Sequence, residues 1–408
     1  MQPLKKITII NASLILENEI VENATIEIQG EVISGITKSR PEVNENTILI
    51  DASGNYVAPG FIDIHVHGGA GADFMDGTAN AVIQACRAHL RHGTTTIFPT
   101  TTTGSAVEIQ AMLEVCLEVA KCNYPELLPQ IPGIHLYGPY FAADKVGCHS
   151  AAGRREPTPD EYQLYLDTGF VRIATCAAEL PGAMAFYQAA SQAGCMVTCG
   201  HSNASWAEMQ SAFDSGMRHV DHFWCAMSGV SSLRSRFGTP MQAGMEQFVL
   251  FNKSMSTEVI ADGEHLSNEL LEFAFQMIGP DRLCLVTDSS RAMDMPPGTY
   301  KFGHSETGSD FQSNGRVGLT PAGDALASSI QGMDHMLRTM KKATSASLPE
   351  LFRMTSLTPA RLTGFDAITG SLAVGKMADL LVLDRSLHVR NVMSLGQWLY
   401  PDHEMKSR

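Results

Sequence analysis

The stretch Phe61-Ile62-Asp63-Ile64-His65-Val66-His67 decides the fold. Along an extended strand side chains alternate between faces, so Asp63, His65 and His67 fall on one side and the aliphatic residues on the other. Two imidazoles so placed can hold one divalent metal. A lone His-x-His is more often the mark of hydrogen-bonded core histidines, because the motif is short. What surrounds the motif has to choose between these readings.

Working outward, strand-like runs recur at 61–67, 94–100, 131–137, 171–179, 195–201, 218–222, 256–262 and 282–288. Segments of helical period separate them, notably 105–121, 205–215 with Asn203 or Ser205 as its cap, and a long amphipathic segment at 324–342. Eight strands alternating with helices predict an α/β fold, a (β/α)8 barrel of the TIM type, whose active site lies at the C-terminal ends of its strands. His201 ends one of these runs, His222 another and Asp288 the last. Four histidines and an aspartate converging on one barrel mouth are ligand types suited to zinc or a similar borderline metal. As core residues the five would carry desolvation costs that a cation offsets.

Outside the barrel, the first fifty-odd residues alternate apolar and polar positions in short runs, and a matching pattern returns at 370–384. Residues 1–57 and 365–408 are expected to pair as a small β-sandwich, with 58–364 forming the barrel. The 29 Lys and Arg against 43 Asp and Glu give a net charge of -14, which repels nucleic acid and anionic membrane surfaces. No apolar stretch is long enough to span a bilayer, and residues 1–6 lack the features of a signal peptide, so the cytoplasm is the expected location. Nine scattered cysteines without a CxxC pair, including Cys195, Cys199 and Cys284 in apolar runs, read as reduced buried thiols.

Pro59-Gly60-Phe61-Ile62-Asp63-Ile64-His65-Val66-His67-Gly68 resembles the opening motif of the amidohydrolase superfamily. Gly200-His201-Ser202-Asn203-Ala204, His222-Phe223-Trp224-Cys225-Ala226-Met227, Ile260-Ala261-Asp262-Gly263-Glu264-His265 and Leu285-Val286-Thr287-Asp288 follow in the order seen in N-acetylglucosamine-6-phosphate deacetylases, and the similarity spans essentially the whole chain. The resemblance implies a homodimer acting on a small amino-sugar substrate, in which water activated by a metal attacks an acetamide carbonyl. Asp288 would take the proton and return it to the departing amine, while the metal or a histidine holds the oxyanion. It further implies that His265 and the backbone at Cys225 and Ala226 face a 6-phosphate, and that His149 approaches the sugar.

Two departures matter. The deacetylases carry a metal-ligating glutamate in a His-Leu-Glu-Gly-Pro context, where this chain reads His135-Leu136-Tyr137-Gly138-Pro139. Without that oxygen a second metal keeps only His201 and His222, unless the phenol of Tyr137 ionises onto it. One ion is expected, with His65, His67, His201 and Asp288 around it and His222 free to polarise the carbonyl. Zinc is the expected metal, with iron and manganese as alternatives. The second departure is the family's phosphate-binding arginine, for which Arg234 or Arg236 are the candidates here, or two solvated side chains. Lys145, Arg154 and Arg155 read as a charged loop or an anion site, Cys148-His149 lacks an orienting partner for nucleophilic catalysis, and 293–315 reads as a flap or a plain surface excursion. The altered ligand set leaves three functions open: an amino-sugar deacetylase, an amidohydrolase of another substrate (a cyclic amide, an N-acyl amino acid or a deaminase substrate), and a catalytically impaired homologue.

Overall fold

The computed structural model describes residues 6–39, 41, 46–122, 124 and 126–399. The reading of the N-terminus as free of a signal rests mainly on residues 1–5, which lie outside the described residues, as does 400–408 of the expected sandwich.

All eight expected strands form, each shorter than its run: β1 (Phe61–Val66), β2 (Thr94–Pro99), β3 (Ile134–Leu136), β4 (Val171–Thr175), β5 (Met196–Cys199), β6 (His219–Val220), β7 (Ser256–Ile260) and β8 (Leu283–Val286). Strands β3 to β8 make a parallel sheet in chain order, and β1 pairs with β2 in parallel. The bridges Thr96–Gln130 and Thr100–His135 join β2 to β3. Asp288 N–H donates to the His65 carbonyl, and His67 N–H to the Ser289 carbonyl, each at 2.9 Å, returning β8 to β1. The parallel strands thus close on themselves as a barrel. Every residue of β1, β2, β7 and β8 is buried, as strands covered on both faces require.

The shortening has a cause. His201, His222 and Asp288 leave the strand conformation with φ of +45°, +20° and +45°. Each strand therefore stops one or two residues early, and its last polar side chain turns into the mouth.

Ser105 and Ser205 start the helices Ala106–Lys121 and Trp206–Asp214 with reciprocal capping boxes to Glu108 and Glu208, so Ser205 rather than Asn203 is the cap. The segment expected at 324–342 is helical only over Met333–Ala343. Before it, Ser329 N–H donates to the Asp288 carbonyl and Ser290 N–H to the Ser329 carbonyl, so this backbone serves the end of β8 instead of a helix. The stretch read as flap or excursion contains an antiparallel sheet of Gly298–Phe302, Ser309–Ser313 and Gly318–Leu319. It is pinned by Phe302 and Phe311 against Ala292, Ala327 and Ile330.

Strands from both ends of the chain share one eight-stranded sheet, in which Leu380–Leu383 pairs with Tyr56–Pro59 and Lys6–Ile15 pairs with three partners. This sheet has its own apolar cluster, including Ile9, Ile26, Val57, Leu380 and Met393.

Candidate metal centre

His65 and His67 project from β1 and the residue after it, and Asp288 from the turn after β8, and ligand atoms of all three lie within 4.8 Å of one another. The Asp288 Oδ1 atom is 3.2 Å from His67 Nε2 and 3.7 Å from His65 Nε2. Burial works to raise the Asp288 carboxyl, but the His67 hydrogen bond and the charges of His65 and His67 outweigh it and hold the group well below the usual carboxylate range. His65 Nδ1 lies 2.5 Å from Glu258 Oε1. Burial opposes a charge on His65, but Glu258 and Asp288 prevail and push it up to about 9 while no metal is bound. A cation in place of that proton leaves His65 neutral, its remaining proton drawn to Glu258 and its Nε2, which has no hydrogen-bond partner in the protein, free to ligate. The ring nitrogens of His67 are buried too, Nδ1 without a partner and Nε2 with only the Asp288 oxygen beside it. Lone pairs and an anionic oxygen aimed at one spot repel unless a cation stands between them, so this donor set fits a divalent metal.

His201 and His222 form a neighbouring pair with their Nε2 atoms 3.2 Å apart, outside the mutually close trio of His65, His67 and Asp288. His201 Nδ1 donates to the Lys145 carbonyl, so its Nε2 is also bare. The Tyr137 hydroxyl is hydrogen-bonded to His222 Nε2 and the Tyr137 ring packs edge-on to His65 at 4.3 Å. Burial, reinforced by Asp221 and Asp288, pushes the Tyr137 phenol well above its ordinary value, which keeps it neutral.

These groups open onto a cavity of about 370 Å³ lined by Tyr137, His149, His201, His222, Cys225, Ala226, His265 and Asp288, and also by Lys145 and Phe302. His265 donates to Asp262 at 2.7 Å; burial opposes a charge on its ring, but the Asp262 bond prevails and raises it. His149 packs edge-on to His201 and Phe302, each at 4.9 Å. Arg234 and Arg236 do not line this cavity. They sit on the exposed helix Val230–Phe237, where Arg236 pairs with Glu208 and donates to the Asn203 carbonyl. Of the loop cations, Arg154 bonds the Phe141 carbonyl and Arg155 bonds Glu161, which leaves Lys145 as the one facing the cavity.

Sequence reasoning missed Glu258. It stands on β7 with Ser256 and Ile260 on the same side, and its signal was an acidic residue in the middle of an otherwise uncharged barrel strand. Phe302 was missed because its place depends on the folding of the 298–319 sheet over the mouth.

The amidohydrolase family model matches residues 56–399. The chain is 30% identical to an N-acetylgalactosamine-6-phosphate deacetylase of Escherichia coli O157:H7, covering 94% of this chain and 97% of that one. A mutant N-acetyl-D-glucosamine-6-phosphate deacetylase of Mycobacterium smegmatis, solved in complex with N-acetyl-D-glucosamine-6-phosphate, superposes with a TM-score of 0.85 at 26% identity, covering 97% and 99%. The N-acetylglucosamine-6-phosphate deacetylase of Pasteurella multocida gives 0.87 at 26% identity, covering 96% and 99%. With the barrel, the buried histidine and aspartate cluster and a match running through both, the chain belongs to the amidohydrolase family and is a metal-dependent hydrolase.

Proposed function

We propose that the chain removes the acetyl group from N-acetylglucosamine-6-phosphate or a close analogue. The observation that carries this reading is the meeting of His65, His67 and Asp288 beside a cavity that also presents Lys145 and His265. A divalent cation, zinc before iron or manganese given imidazole and carboxylate donors, supplies Lewis-acid polarisation and makes water nucleophilic near neutral pH. His65, His67 and Asp288 hold it. A single ion is proposed, because Tyr137 offers a neutral hydroxyl where a second ion needs an anionic oxygen. His201 stands as a further ligand or as a partner of His222.

Asp288, kept ionised, accepts the proton of the attacking water and delivers it to the departing sugar nitrogen. His222 holds the negative charge that develops on the acyl oxygen. His149 and Phe302 bound the sugar, and Lys145, His265 and the backbone at Cys225 and Ala226 receive the phosphate. Arg234 and Arg236 are left outside this arrangement, since neither lines the cavity.

We further propose a cytoplasmic homodimer. Val230, Phe237 and Met241 are 55%, 43% and 60% exposed, an apolar surface that a second copy would cover. Among the described residues no helix is long and apolar enough to cross a membrane.

Tyr137 also favours a second reading, in which the same metal serves another amide. The test is to load the protein with zinc and offer N-acetylglucosamine, its 6-phosphate, the galactosamine epimers and a set of N-acyl amino acids and cyclic amides. Release of free amine from a sugar phosphate is the expected result. Turnover confined to the other amides transfers the assignment to them.

A further inference from the structure

Below the metal-holding face the barrel carries a second layer of ionisable groups that the hydrolysis does not use: Glu258, His219 and Asp221, all buried. Glu258 is at its centre. One oxygen lies 2.5 Å from His65 Nδ1 and accepts the backbone N–H of His222 at 3.2 Å. The other accepts from His219 Nε2 at 3.3 Å, and His219 Nδ1 is 2.8 Å from the Ser256 hydroxyl. The Glu258 carbonyl accepts the Phe223 N–H at 2.8 Å, so this one residue is tied to β1, to β6 and to the turn that carries His222.

We propose that Glu258 is a positioning residue of the metal centre: it pins the proton of His65 on Nδ1 so that Nε2 presents its lone pair to the cation, and it anchors the turn that aims His222 into the cavity. The inference rests on the metal-centre reading above. A neutral imidazole has one proton to place, and an anionic acceptor on Nδ1 settles which nitrogen keeps it, orients the ring and raises the basicity of the other nitrogen. The partners of the other histidines differ in kind. His201 Nδ1 has only the Lys145 carbonyl, and His67 Nδ1 has no partner.

The test compares wild type, Glu258→Gln and Glu258→Ala by zinc affinity, measured against a competing chelator, and by nitrogen-15 NMR of labelled histidines in the zinc-loaded protein. Wild type should show His65 protonated on Nδ1, with a strongly downfield proton resonance. The alanine variant should lose that resonance and bind zinc about 10- to 100-fold more weakly. Glutamine, whose amide oxygen still accepts, should keep the affinity within about tenfold while the resonance moves upfield, since a neutral acceptor makes a weaker bond. Unchanged zinc affinity in folded Glu258→Ala overturns the inference, as does an unmoved His65 resonance in Glu258→Gln or a wild-type His65 protonated on Nε2. Failure of wild type to take up zinc or manganese defeats the metal-centre reading itself, a result distinguishable from the others because it appears before any substitution is made.

Discussion

The cluster around His92 and the one around Asp288 both join histidine to aspartate, and they are satisfied in opposite ways. His92 bridges Asp334 through Nδ1 at 2.8 Å and Asp294 through Nε2 at 3.0 Å, so both ring nitrogens are used. Burial opposes its charge, but the two carboxylates prevail and push it up to about 9. Around Asp288, His65 Nε2 and His67 Nδ1 are buried with no hydrogen bond, and His67 Nε2 has only the carboxylate beside it. Residue types alone do not separate a clamp from a ligand set. The separation comes from counting partners: a complete set of hydrogen bonds marks a structural cluster, and bare nitrogens converging on one point mark a place for a cation.

The sharpest attack on that contrast is to remove a ligand. His67→Ala should lower metal affinity by more than about 100-fold, since even groups that only support a ligand are worth 10- to 100-fold. Chelation of wild type should abolish turnover, with recovery on adding zinc; elemental analysis and amine release read both. Next, Asp288→Asn should lower kcat by about 10²- to 10⁴-fold, the range of a general acid-base group, in steady-state assays on the metal-loaded protein.

The structural cluster should behave differently. His92→Ala should leave metal content unchanged and cost on the order of 2 kcal/mol of stability, allowing for the partial exposure of the ring. The folded value of His92, about 9, lies above its ordinary 6.5. Its contribution is therefore complete below about pH 6.5 and fades as the pH rises through about 9. Asp294 and Asp334, lowered from 3.8 to about 2, add stability that is present above their ordinary value and lost as the pH falls through about 2. Melting curves should show the largest gap between wild type and His92→Ala near pH 6 and a narrower one at pH 10; a gap that widens with alkali breaks the account. The smallest effect belongs to Tyr137→Phe, which removes one hydrogen bond to His222. It should reduce kcat/KM by roughly three- to tenfold, as a loss of about 0.5–1.5 kcal/mol implies.

The sequence was most informative where periodicity and residue type pointed the same way. Alternation in β1 set His65 and His67 on one face, and repeated strand-like runs ending in His201, His222 and Asp288 foretold where the mouth would be. It was least informative where tertiary contacts decide. Nothing local says that Ser329 will bond the end of β8, which is why 324–332 is not helical. Nothing local says that Arg236 will be taken by Glu208. The partnership of Glu258 with His65 links positions 193 residues apart, and a single sequence carries no trace of such a pairing.

The backbone at positions 201, 222 and 288 lies on the side of φ that β-carbons resist. A left-handed conformation at a residue other than glycine costs about 1–2 kcal/mol. Glycine would rest there more comfortably than histidine or aspartate. Selecting this protein for heat tolerance alone would therefore favour loss of side chains that line its cavity, and any thermostabilisation campaign should hold these three positions fixed.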